Sequence, residues 1–203
     1  MNPAHRALRD ATAPAHERVD AAFGGFDLTD RDSYAAFLRA HAEAFLPIEA
    51  ALDAAGAERI IDDWENRKRG HLIREDLAML GARLPHPFAS SAVEKPAPAD
   101  RFSTSLETNG AIAGTLYVLE GSRLGGKFLA RKLPPGFPRA YLDADQVSGN
   151  WRKLLDRLDT ILYQPAELAA AIDAAQAAFD AFERSGTRWL KDISCPNANS
   201  KST

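Results

Sequence analysis

An all-α single domain is the architecture this chain predicts, and three observations carry it. Apolar residues recur at three- and four-residue spacing through most of the sequence, as they do on helices with one buried face. No segment alternates apolar and polar residues in the manner of a half-buried strand. Glycine and proline fall mostly between the periodic runs, where they start and stop helices. With 203 residues, 45% of them hydrophobic, the chain can bury one sizeable core. The expectation is a bundle of six to eight helices over residues 1–193, with 194–203 as a disordered tail.

Asn2-Pro3 reads as a helix start, and Leu8, Thr12, Ala15, Val19 and Ala22 mark one face of the helix that follows. Pro14 removes one backbone hydrogen bond, so a kink or a restart at Thr12 is expected, and Gly24-Gly25 ends the element. Caps within 29–33 open a second helix, whose Tyr34, Phe37, Leu38, His41, Phe45, Ile48 and Leu52 are spaced for burial. Pro47 is expected to bend it. A third helix is expected from about Ala57 to Leu80, charged in its middle and stopped by Gly81. Proline, serine and alanine without apolar period make 85–103 a surface loop. A glycine-bearing helix follows over 109–133, then one over about 148–162 and a last one opened by Pro165.

The formal net charge of −3 implies no general affinity for nucleic acid or anionic membrane. Cys195 is the only cysteine, which excludes an internal disulfide and a cysteine-based metal centre and fits a reducing compartment. The polar N-terminal stretch lacks the apolar segment of a signal peptide, so a cytoplasmic location is expected.

The run NGAIAGTLYVLEGSRLGGKFLARKL, 109–133, reads as one helix. It carries Gly110, Gly114, Gly121, Gly125 and Gly126 inside a helical pattern, each at a cost of about 1 kcal/mol against alanine. Gly110, Gly114, Gly121 and Gly125 fall within roughly 60° of one another on a helix, leaving a lane almost bare of side chains. Such a lane admits either a second helix packed through small residues or a large flat ligand. Glu120, Arg123 and Lys127 argue against a membrane-spanning helix.

Among the five histidines, none follows a glutamate by three residues and no His-Glu-x-x-His occurs, so di-iron bundle and zincin chemistry are excluded. His16 and Asp20 are one helical turn apart, within reach of each other. That pairing is either a surface His–Asp contact or a carboxylate that fixes one ring nitrogen and frees the other for a metal. His41 is expected to be a packed histidine of the second helix.

LRDATAPAHERVD (8–20) and YVLEGSRLGGKFLARKL (117–133) together resemble the two defining segments of the heme oxygenase family. The likeness is strongest to the bacterial, biliverdin-producing branch associated with bacteriophytochromes, and it extends to about Leu190. It implies a heme sandwiched between the first helix and the glycine-rich distal helix, with heme as both substrate and oxygen-activating cofactor. By resemblance, His16 is the proximal iron ligand and Asp20 its hydrogen-bond acceptor. Gly121 and Gly125 are the distal contacts with Gly126 alongside, and Arg9, Tyr117 and Lys132 match positions that meet heme propionates. Animal members carry an aspartate after the first distal glycine, where this chain has Ser122, which can relay a proton only through water. The implied reaction is oxidative opening of heme by O2 and reductant to biliverdin, CO and ferrous iron. A ferredoxin or reductase as electron donor and a bacteriophytochrome as biliverdin acceptor are implied partners. A non-catalytic heme carrier or sensor on the same fold, and a helical protein–protein module, are the competing expectations.

Overall fold

Seven α-helices and one 3-10 turn, with no strand, make up the described residues of the computed structural model, which are 3–84, 106–144 and 149–194. They are α1 (Pro3–Phe23), α2 (Arg31–Ala55), α3 (Trp64–Arg67), α4 (Gly70–Met79), α5 (Asn109–Ala130), α6 (Asn150–Ile161) and α7 (Pro165–Ser194). The 3-10 turn, Ala57–Arg59, precedes α3. The expected cap Asn2, the loop at 85–103 and most of the expected tail lie outside the described residues.

The long last helix organises the rest: α1, α2 and α5 all pack on α7. Its alanines 171, 174, 175 and 178 are buried, so neighbouring backbones come close, while Phe179 and Phe182 fill the remaining core. The core continues through Tyr34, Phe37, Phe45, Ile48 and Leu52 of α2, as their spacing predicts. Asp30 caps α2 by accepting from the Ser33 backbone N–H at 2.8 Å. Gly56 closes that helix in the left-handed region, φ +76°, where a side chain would be strained.

Pro14 does not restart α1. α1 runs unbroken through Pro14, and α2 runs unbroken through Pro47.

The expected single helix over 57–80 is instead three short pieces. Lys68 is extended, φ −64° and ψ 140°, and α4 restarts at Gly70. The cause is Glu49, whose buried carboxylate accepts from the backbone N–H groups of Arg69 (2.7 Å) and Gly70 (3.0 Å). A carboxylate from another helix thus caps α4 where no local side chain does. A Cβ at Gly70 would stand too close to that carboxylate, so a larger residue there would have to displace the Glu49 side chain from its cap.

Candidate functional site: an open apolar face on α5 and an exposed histidine on α1

The glycine lane of α5 divides into two halves. At Gly110 and Gly114 an added Cβ would lie 2.1 Å from the Glu167 carbonyl oxygen and 2.0 Å from that of Ala171. This half is a helix–helix contact, α5 laid directly on α7. Gly121 and Gly125 differ: a Cβ at Gly125 meets nothing within 4 Å, and one at Gly121 meets only the Trp151 ring, at 3.6 Å. Gly126 faces inward, with the Leu142 carbonyl oxygen 2.9 Å from where its Cβ would be. It therefore serves close packing rather than the open half of the lane.

Leu124 and Phe128 flank the open glycines and are 52% and 59% exposed. With Gly121 and Gly125 they span about 100° of the helix surface. A contiguous uncovered apolar strip on an otherwise buried helix marks a place for a ligand.

Buried charge fixes α5 in this rotation. Glu120 and Arg123 sit on the inward side, 2% and 5% exposed. Glu120 accepts from Arg67 and from Arg123, each at 2.9 Å, and Arg67 also makes a forked pair with Asp63 at 2.8 and 3.0 Å. Two guanidiniums and two carboxylates leave no charge unpaired, the condition under which buried ions are tolerated. Turning α5 to hide Leu124 and Phe128 would expose or break this cluster.

On α1, His16 stands out from the surface. Its Nδ1 is 3.1 Å from an Asp20 carboxylate oxygen and its ring makes an edge contact with Phe179 of α7, centroids 5.7 Å apart. With Nδ1 engaged, Nε2 is the nitrogen left for a metal. No group of three or more potential metal ligands occurs among the described residues. A lone exposed histidine suits an iron that arrives already held by a macrocycle.

The propionate expectations fall at two ends of the open face. Tyr117 lies one turn before Gly121, in ring contact with His5 of α1 (5.8 Å), and burial raises its hydroxyl pKa. Arg9 is one turn beyond His5 and makes an exposed pair with Asp10, 2.9 Å, of the kind that exchanges readily. Lys132 instead stacks over Phe128, 4.6 Å from the ring centroid, past the other end of the helix. Tyr117 and Lys132 are separated by roughly 20 Å of helix rise. Carboxylates on one edge of a ligand can reach only one of these ends.

Sequence reasoning missed the polar group behind Ser122. Ser122 Oγ donates to the Leu119 carbonyl oxygen at 2.6 Å and accepts from Arg69 Nη2 at 2.7 Å. Arg69 is 3% exposed, lies over the faces of Phe45 and Tyr141, and also donates to the Leu119 carbonyl oxygen. Its Nε is the one buried side-chain polar atom without a hydrogen-bond partner among the described residues, an orphan that internal water commonly meets. Tyr141 Oη lies 3.3 Å from His41 Nδ1. His41 is packed among Phe23, Phe37, Tyr141 and Phe182, as expected, and desolvation lowers its pKa to about 3.

Comparison with known proteins places the chain in a family. The family model for heme oxygenase matches residues 2–188. A heme oxygenase from Xanthomonas campestris pv. campestris (strain 8004) is 35% identical over 163 residues, covering 75% of this chain and 88% of that protein. Two solved structures share the fold. A heme oxygenase from Leptospira interrogans superposes with a TM-score of 0.70 at 19% identity, covering 93% of this chain and 100% of its own. The NO- and CO-bound heme oxygenase from Neisseria meningitidis gives 0.68 at 21% identity, covering 94% and 93%. Family match, identity and fold converge, and the chain belongs to the heme oxygenase family.

Proposed function

We propose that this heme oxygenase binds its substrate between His16 of α1 and the open half of α5. What carries the assignment is the uncovered strip Gly121–Leu124–Gly125–Phe128, held outward by the buried Glu120 cluster. Bound heme would supply both the iron at which O2 is reduced and the ring that is opened, giving biliverdin, CO and ferrous iron.

The chain's own residues divide the remaining work. His16 would hold the iron through Nε2, while Asp20 accepts from Nδ1–H and keeps the ring in that tautomer. As an imidazole ligand His16 would push less electron density onto the iron than a thiolate would. Gly121 and Gly125 let the backbone approach the substrate face, and Leu124 and Phe128 keep water from it. The Ser122 hydroxyl proton is committed to the Leu119 carbonyl oxygen, so Ser122 presents an acceptor to a water on that side. Arg69 behind it supplies a fixed positive charge that favours the donor orientation of such a water toward the substrate face.

A ferredoxin or a reductase supplies the electrons, a bacteriophytochrome receives the biliverdin, and the protein works in the cytoplasm. These three assignments rest on the likeness to the bacterial branch and, for compartment, on the single Cys195. No helix among the described residues is long and apolar enough to cross a membrane. The test is direct: hemin added to the protein gives a Soret band, and reductant with O2 converts it to the spectrum of biliverdin. A band that persists under turnover conditions would leave a heme carrier; no band would remove the assignment.

A further inference from the structure

The open half of α5 is bounded by side chains at one end and free at the other. At the bounded end His5 of α1, Tyr117 of α5 and Trp151 of α6 meet as three rings, with centroids 5.6 to 6.0 Å apart. At the free end a Cβ on Gly125 would meet nothing within 4 Å, and Phe128 is exposed with only the Lys132 ammonium over its ring. Trp151 is the member that reaches the glycine lane: its Cη2 and Cζ3 lie 3.6 and 3.9 Å from where a Cβ of residue 121 would be.

We infer that Trp151 is a positioning residue that sets how far the macrocycle slides along α5, and so which meso carbon faces the activated oxygen. This rests on the binding mode proposed above. A flat ring lying on Gly121 and Gly125 finds free surface beyond Gly125, but an indole edge beside Gly121. The indole cannot easily give way. Its face packs on Tyr117 at a 33° interplanar angle, and the His5 ring meets it at 90°. The helix bearing it is tied to α1, because Asp159 accepts from the Ala4 backbone N–H at 3.0 Å. Burial, then the nearby positive charge of Arg9, lower the His5 pKa, so this wall tends to stay uncharged and apolar. A wall of this kind contributes no bond to the substrate. It removes one set of in-plane positions, leaving the carboxylate-binding groups to choose among fewer.

The test compares wild type, Trp151→Ala and Trp151→Phe as hemin complexes. Proton NMR of the cyanide-bound ferric form reads the in-plane seat from the heme-methyl shifts, without turnover. Chromatography of the biliverdin isomers reads the position of cleavage. The expected result is one dominant methyl set in wild type and a second set in Trp151→Ala, with a matching change in isomer ratio and a smaller change in Trp151→Phe. If Trp151→Ala does not fold, Trp151→Phe alone decides by the same two readouts. Methyl shifts and isomer ratios identical to wild type in the folded variants would overturn the role of Trp151 while leaving the binding mode standing. Failure of the wild type to bind hemin would instead overturn the binding mode, and this inference with it.

Discussion

Arg69 donates through one terminal nitrogen to the hydroxyl of Ser122 at 2.7 Å, from a position sealed off from solvent. The contact joins the start of α4 to the flank of the distal glycines and puts a cation behind the residue that replaces the animal-type aspartate. Ser122→Ala removes the acceptor proposed above to hold a water there but leaves Arg69 its bond to the Leu119 carbonyl oxygen. Hemin affinity should be unchanged, and single-turnover ring opening should slow by roughly 10²-fold, at the low end for positioned proton transfer. An unaltered rate would place the proton route elsewhere.

The two halves of the glycine lane should respond in opposite ways to alanine. Gly114→Ala forces a methyl into the Ala171 backbone and should destabilise the ligand-free protein by about 1–3 kcal/mol through overpacking. Gly125→Ala adds a methyl in open space and should raise apo stability by up to roughly 1 kcal/mol through helix propensity. Biliverdin yield should fall in Gly125→Ala despite that gain. Thermal melts of both apo variants, paired with yield, settle the matter; a destabilised Gly125→Ala that turns over normally would refute the division of the lane.

Acid sensitivity follows from His41. Desolvation, then the Arg69 charge, depress its folded pKa from 6.5 to about 3, so the folded state resists a proton that the unfolded state accepts. The stability this lends the fold is complete above pH 6.5 and is lost progressively as pH falls toward 3. Denaturant melts from pH 7 to pH 4 should show a decline of a few kcal/mol attributable to this residue. His41→Gln should flatten that decline; an equally steep one would assign the acid sensitivity to other groups.

Asp20 should tune rather than create the iron site. Asp20→Asn replaces a charged acceptor of the His16 Nδ1–H with a neutral one, which raises the basicity of the ligand less. Hemin should still bind, and the iron–histidine stretch of the ferrous complex should move to lower frequency in resonance Raman spectra. An unshifted stretch would mean that Asp20 does not hold the ligand.

Most helix positions were legible because they depend on local spacing, whereas the organising role of α7 was not. Tyr34, Phe37, Phe45 and Ile48 repeat with the helical period and are all buried. The division of the lane was not legible. Gly110, Gly114, Gly121 and Gly125 share one helix face, and only the path of α7, distant in sequence, decides which are covered. Charge misled in a different way. Arg67, Arg69, Glu120 and Arg123 lie in stretches that look solvated, yet all four are buried. Their burial depends on partners from other elements, Glu120 for Arg67 and the Leu119 carbonyl for Arg69, which a one-dimensional pattern does not display. The break at Lys68 has the same origin, since the cap that restarts the chain at Gly70 comes from Glu49 of α2.

Hemin titration of wild type beside His16→Ala tests the central claim most directly. The His16 side chain is largely exposed and pairs with Asp20 beside the edge of Phe179, so its removal should leave the far-ultraviolet circular dichroism of the apo protein unchanged. Wild type should give a histidine-ligated Soret spectrum that decays to biliverdin with reductant and O2. His16→Ala should lose both the ligated spectrum and turnover, with exogenous imidazole restoring the spectrum. An unchanged Soret band and unchanged biliverdin formation in His16→Ala would contradict the placement of heme between α1 and the open half of α5.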